Sequence, residues 1–410
     1  MTFLKRCRSC NSEKLEKFLS LGETTLANTY LSEDQLNQKE NKFPLETVIC
    51  EDCKLVQLSY IVPPELMFKN YLYVTSTTKT FREHFTKMAE EVTKMFNLGK
   101  NSLVVDIGSN DGLLLKGFQN FGVSTIGVEP AENLISIALE NGVETINDFF
   151  NENVVDEIIK RKGKADVVTG NNVFAHIHDI KDVVKNVKNL LKDNGIFIVE
   201  VQYLVDKIQK LTFDNIYHEH LTYYTLTTIK RFFEMNDMEV FNVQRVDTHG
   251  GSIRVFVQKK NGKHEVSNSI NNILEEEKKL DVENIKTYEE FAKKVYAVKS
   301  KLLGFLDRIK KEGKSIVGYG APAKATTLLG FCGIGTNYLD YIVEDNPLKH
   351  GLYTSGGHIP IVNPKMLDES KPEYALILAW NFTKEILEKN SKYREQGIKF
   401  IIPLPEPRIV

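Results

Sequence analysis

Four of the five cysteines stand in two pairs, Cys7-Arg8-Ser9-Cys10 and Cys50-Glu51-Asp52-Cys53, while Cys332 stands apart. A Cys-x-x-Cys turn lets two thiolates converge on one metal, and two such turns supply the four sulfurs of a tetrahedral structural zinc site. Four thiolates leave no position open for substrate, so a metal held by Cys7, Cys10, Cys50 and Cys53 would serve folding and not chemistry. The segment 11–49 between the pairs is longer than ordinary ribbon spacing and must leave and return. A redox dithiol with one incidental pair is the alternative reading.

A second cluster is the run Val104-Val105-Asp106-Ile107-Gly108-Ser109-Asn110-Asp111-Gly112, which ends a strand in a glycine turn before a helical pattern at Leu113. Gly108 and Gly112 permit positive φ and close backbone approach to a ligand. Glu129 closes the next strand, where a carboxylate can accept both ribose hydroxyls of an adenosine. Asp106, the Asn110-Asp111-Gly112 end of the turn and Glu129 fit S-adenosylmethionine better than NAD, whose turn reads Gly-x-Gly-x-x-Gly. Further on, Asn171, Asn172 and His176 follow a strand at its carboxyl end, where such sheets bind ligands. A third cluster, Tyr217-His218-Glu219-His220, concentrates groups suited to general-base work, since histidine titrates near neutrality and tyrosine can relay a proton. Were it a strand, its two histidines would point the same way and offer a metal two ligands, with no third nearby; an exposed strand end or a satisfied helix cap are the blander readings.

These residues need elements to position them, and three blocks separate along the chain. Residues 1–70 form the metal module, punctuated by Pro63-Pro64. In residues 71–265 a helical pattern over Thr80 to Phe96 precedes alternating strands and helices, with buried strands over Leu103 to Ile107, Thr125 to Val128, Asp166 to Thr169 and Ile196 to Val201. Such alternation predicts a parallel, doubly wound, Rossmann-like sheet. Residues 266–410 open with a helical bridge from Ser267 to Lys311 and close with a smaller α/β unit whose strands start near Ser315, Tyr341, Tyr374 and Lys399. The fold class is therefore α/β, with an N-terminal zinc module and two Rossmann-like units.

In this order the chain resembles the sugar C-methyltransferases, which methylate carbon in nucleotide-linked 4-keto deoxysugars. The marks are the cysteine pairs, Tyr71-Leu72-Tyr73, the glycine turn, Asn171 to His176, Tyr217 to His220, Thr248-His249-Gly250-Gly251-Ser252, Gly318 to Lys324, Glu344 to Pro347 and Ala379 to Phe382. The resemblance implies methyl transfer from S-adenosylmethionine through a base-generated enolate. It assigns Tyr217, Glu219 and His220 to catalysis, His220 being the first-choice base, with His176, Tyr71 and Tyr73 facing the sugar. It gives nucleotide-sugar binding to the C-terminal unit, with Tyr319, Lys324, Asp345, Asn346, Trp380 and Asn381 as contacts. Read from residues alone, the turn from Gly318 to Lys324 could also be a dinucleotide fingerprint, although Pro322 removes an amide that a pyrophosphate would use, and Trp380 could stack on a ligand or pack in a core.

Composition narrows the classes. Lys plus Arg number 53 against 55 Asp plus Glu, a net charge of -2, so no polybasic surface steers the chain to nucleic acid. The N-terminus carries Lys5 and Arg6 and no stretch reaches a membrane span, which predicts a cytoplasmic protein with a small-molecule partner. A monomer is compatible, and the oligomeric state stays open. An O-methyltransferase of the same fold and an NAD-dependent sugar oxidoreductase are the alternatives.

Overall fold

The computed structural model describes residues 2–68 and 74–410, so the expectations for Tyr71 and Tyr73 fall outside the described residues. The central sheet has seven strands in the order Met238–Val246, Ser252–Lys259, Leu191–Gln202, Ala165–Asn171, Leu103–Ile107, Ser124–Val128 and Thr145–Ile146. The last five run parallel, as the alternation predicts. All five residues of Leu103–Ile107 are buried, as befits a strand with helices on both faces. The first two form an antiparallel hairpin on one edge, which the sequence reading did not include. No helix separates them, and a parallel pair needs a crossover of helix length.

The N-terminal module is an antiparallel sheet of Leu15–Thr24, Phe43–Cys50 and Val56–Leu58. Its fourth strand, Thr222–Tyr223, comes from the middle of the chain. The C-terminal sheet orders Ile361–Val362, Ile342–Val343, Ile316–Tyr319, Tyr374–Ile377 and Lys399–Ile402 in parallel, with Arg408–Ile409 antiparallel at the edge.

The single bridge expected over 267–311 is two helices, Asn268–Leu280 and Ile285–Lys311. Asp281 breaks the pattern in a left-handed conformation (φ 57°), and the Asn284 side chain accepts the Lys286 amide to cap the second helix. That helix buries Tyr288, Phe291, Val295, Leu302 and Leu306 against Leu19 and Leu45 of the metal module and Ile316, Leu376 and Ile401 of the C-terminal sheet. Each such side chain contributes roughly 1.5–3 kcal/mol by burial, so this shared core welds the first and last units together. Among the described residues no helix is long and apolar enough to cross a membrane.

Candidate active site and metal centre

Cys7, Cys10, Cys50 and Cys53 come together with their sulfurs within 4.8 Å of one another. Gln57 Nε2 donates to Cys7 Sγ at 3.3 Å, and hydrogen bonding from Cys53 lowers the Cys7 thiol to about 5. Soft, clustered thiols of which one readily ionises suit zinc, and the four fill its coordination sphere. Arg231, on the helix Leu226–Met235, donates to the Cys53 carbonyl at 3.0 Å and ties the knuckle to the central unit.

The glycine turn stands at the carboxyl end of Leu103–Ile107. Gly108 has φ 66° and a Cβ there would lie 2.8 Å from Val173 Cγ2, so the turn needs glycine on both counts. Glu129 accepts the amides of Asn110 and Ala131, each at 2.9 Å, and burial pushes its carboxyl up. Asp106 is buried and pushed up to about 7 by desolvation, with the Thr169 hydroxyl donating at 2.5 Å. Asn171 and Asn172 follow on the neighbouring strand. Both polar atoms of the Asn171 amide and the Asn172 Oδ1 are buried without a well-formed partner, while the Asn171 amide lies near enough to hold the Asp106 carboxyl down somewhat. Unspent polar groups around a glycine cradle are what a polar cofactor would satisfy, and S-adenosylmethionine fits them. Asp111 differs from its neighbours. Its carboxylate is spent on the amides of Ser76 (2.9 Å) and Leu113 (3.3 Å), so it shapes the turn.

Residues 217–220 form a turn, not a strand, and its two histidines go to different partners. His218 reaches the Pro44 carbonyl at 3.2 Å, whereas His220 Nδ1 reaches the Asn215 carbonyl at 2.8 Å. A carbonyl only accepts, so Nδ1 of His220 carries the proton and Nε2 keeps its lone pair. The Tyr217 ring lies 4.1 Å from that of His220 and the His176 ring 4.9 Å away on centroids. Burial holds His220 well below its ordinary value and His176 and His249 at about 4, so all three imidazoles are neutral near pH 7. Glu219 is buried, and its Oε1 accepts from Asn28 of the metal module at 2.8 Å.

From the C-terminal unit, Lys324 donates to Asn381 Oδ1 at 2.6 Å and stands 3.4 Å from the centroid of the Trp380 ring. The Trp380 indole donates to Asp214 Oδ2 at 2.5 Å, so Lys324, Trp380 and Asn381 meet the central unit at Asp214. Burial lowers Lys324 to about 8. The central unit's glycine-turn arrangement recurs: Glu344 accepts the amides of Ala321 (2.6 Å) and Asn346 (2.9 Å), as Glu129 accepts those of Asn110 and Ala131. Tyr319, Asp345 and Asn346 are not brought into this cluster. The Tyr319 ring packs in the core 6.4 Å from Phe400, exposed Asp345 pairs with Lys389, and Asn346 caps the turn at Leu348.

Several groups at the site were given no role from sequence: Asn28, Lys207, Asp214, Asn215 and Glu200. Glu200 is fully buried and receives His84 (2.8 Å), Arg254 (3.0 Å) and Thr248 (3.2 Å), a network that fixes the start of the loop bearing His249. The run Thr248 to Ser252 was the one signal that pointed there.

Family models match in three pieces: a zinc binding domain at residues 7–68, a methyltransferase domain at 81–243 and a C-methyltransferase C-terminal domain at 247–405. The C-methyltransferase NovU of Streptomyces niveus is 36% identical over 99% of this chain and 97% of its own. A ubiquinone biosynthesis O-methyltransferase of Pelagibacter ubique is 29% identical over 24% of this chain and 42% of its own. A solved S-adenosylmethionine-dependent methyltransferase from Clostridium acetobutylicum superposes at a TM-score of 0.35 with 14% identity, over 44% of this chain and 92% of that one. The full-length likeness runs through the metal module, the glycine turn and the C-terminal sheet alike. The chain thus belongs to the C-methyltransferase family, as an S-adenosylmethionine-dependent enzyme that places a methyl group on carbon.

Proposed function

We propose that the acceptor is the carbon next to the ketone of a nucleotide-linked 4-keto deoxysugar, activated by removal of its proton. The observation that carries this reading is the His220 imidazole, which is neutral, has its Nδ1 proton spent on Asn215 and has Tyr217 and His176 alongside. A hydroxyl acceptor already has a lone pair to offer the methyl group and can attack before its proton has passed to such a base. A carbon acid needs one held in line, and it needs the carbonyl beside it, because only then does the electron pair have an oxygen to occupy. In this reading His220 Nε2 takes the proton, Tyr217 orients the sugar and Glu219, held by Asn28, sets the turn that carries both. Asp106, Asn110, Gly108, Gly112, Glu129, Asn171 and Asn172 would hold S-adenosylmethionine, which supplies an electrophilic methyl group. Lys324, Trp380 and Asn381 take the nucleotide-diphosphate end. Zinc on the four cysteines stabilises the first unit.

The test is hydrogen exchange in deuterated water, with a thymidine-diphosphate 4-keto-6-deoxyhexose as probe. Deuterium should enter at the carbon beside the ketone even without a methyl donor. No exchange with the ketone, together with an oxygen-linked methyl on the 4-hydroxy sugar, would replace this reading by O-methylation.

A further inference from the structure

Two lysines are buried at the junction of the central and C-terminal units, and among the described residues neither forms an ion pair with a carboxylate. Lys207, on the helix Leu204–Gln209, is 3% exposed, and its ammonium donates to Gln202 Oε1 at 3.1 Å and stands 5.5 Å from the centre of the Tyr223 ring. Lys324 meets the Asn381 amide and the Trp380 face. Among the described residues the one acid acting on both is Asp214, which is fully buried; its Oδ2 is taken by the Trp380 indole and its Oδ1 is buried with no hydrogen-bond partner there. Among the described residues it forms no ion pair with either lysine. An ammonium offers three donors, and leaving a buried one short of acceptors is costly unless an anion arrives. The two lysines are not equivalent. The Lys207 ammonium acts on the His220 ring and stands over the ring of Tyr223, three residues on from His220, whereas Lys324 stands over the indole and the Asn381 side chain. Lys324 thus marks the nucleotide end, and Lys207 the end where the proton is removed.

We infer that Lys207 is a further catalytic residue, whose buried ammonium holds the oxygen on which negative charge develops when His220 removes the proton. The inference rests on the carbon-acid reading above. In the step, the C–H bond beside the ketone breaks and its proton passes to His220 Nε2. The released pair forms the carbon–carbon double bond, and the carbonyl π pair settles on oxygen, where Lys207 donates a hydrogen bond. When that carbon bonds to a methyl group or a deuteron, the carbonyl re-forms and Lys207 keeps its proton. A donor already in place as charge develops in a dry pocket stabilises it far more than water would. Lys207 is faced by Asp214, Lys324, His220, His249 and the Tyr223 ring. Burial first, and Lys324 after it, lower its value to about 7 against the opposing pull of Asp214. Its charge is present below that pH and lost above it.

The experiment follows exchange of the hydrogen beside the ketone of the thymidine-diphosphate 4-keto-6-deoxyhexose in deuterated water, without methyl donor, from pH 6 to 9. In the wild type, kcat/KM for exchange should fall about tenfold per unit above roughly pH 7 to 8. Lys207→Met should lower kcat for exchange about 10²-fold, with KM within about threefold, and Lys207→Arg, which stays charged, should carry exchange on to pH 9. Calorimetry with S-adenosylhomocysteine checks that each variant folds; if Lys207→Met does not, the wild-type and Lys207→Arg profiles decide. Exchange in folded Lys207→Met within threefold of wild type, a flat wild-type profile, or an unchanged alkaline fall in Lys207→Arg each overturns the assignment of Lys207 alone. A wild type that exchanges nothing overturns the carbon-acid reading, and this inference with it.

Discussion

A histidine accepts a proton only while it is neutral, and a buried histidine stays neutral to lower pH than an exposed one. His220→Asn should therefore lower exchange and methyl transfer by roughly 10²–10⁴-fold while leaving S-adenosylhomocysteine affinity within about threefold, measured by deuterium uptake and calorimetry. Glu129→Gln should instead weaken S-adenosylhomocysteine by about 1–3 kcal/mol with little change in sugar binding, because in the proposed arrangement it belongs to the cofactor end. His218, packed beside Phe43 and against the Pro44 carbonyl, is lowered by burial to about 4 from an ordinary 6.5. A depressed folded-state value means stability is complete above about pH 6.5 and is lost as pH falls toward 4, on the order of 2–3 kcal/mol for this one ring. Denaturant unfolding at pH 7, 5.5 and 4.5 should show that slope, flattened in His218→Gln. At this scale the candidates His220 and Tyr217 stand out in the sequence because titratable groups crowd into four consecutive positions. The sequence concealed Lys207 and Asp214, since a lysine in a short helix reads as a surface residue until the fold closes over it.

Elements explain what spacing could not. The two histidines of 217–220 would share a face on a strand, but the turn sends one ring to the metal module and the other to Asn215. The glycine turn and Glu129 were legible because strand, glycine and acid recur at offsets that backbone geometry demands. The antiparallel hairpin and the break at Asp281 were not, one being a matter of connectivity and the other a single left-handed residue. The C-terminal turn offers a direct reporter, since Trp380 is the one tryptophan of the chain. Titration with thymidine diphosphate should change its fluorescence saturably, and Trp380→Phe should raise the dissociation constant roughly fivefold, about 1 kcal/mol, through loss of the Lys324 and Asp214 contacts. An unchanged constant would remove Trp380 from the nucleotide end.

For the molecule as a whole, the metal module and the proposed catalytic turn are one mechanical unit, for the strand Thr222–Tyr223 begins two residues after His220 and pairs with Val56–Leu58. Protein purified without added metal should contain one zinc per chain by elemental analysis. Stripping it, or Cys10→Ser, should lower turnover more than it lowers S-adenosylhomocysteine affinity, because the glycine turn belongs to a different sheet. The α/β class and the paired cysteines were legible in the sequence, yet nothing in its periodicity showed that the first sheet borrows a strand from the middle of the chain. Two residues are too short a strand to leave an alternating pattern.

That borrowed strand also has a history in the making of the chain. A ribosome delivers the cysteine knuckles and three strands of the first sheet well before residue 222 is synthesised, so the Val56–Leu58 edge is exposed for as long as the intervening residues take to emerge. A metal bound early would hold the three-stranded piece in shape through that interval. The proposed catalytic turn would then be drawn into place as a late event of synthesis, once its neighbouring strand closes the waiting edge.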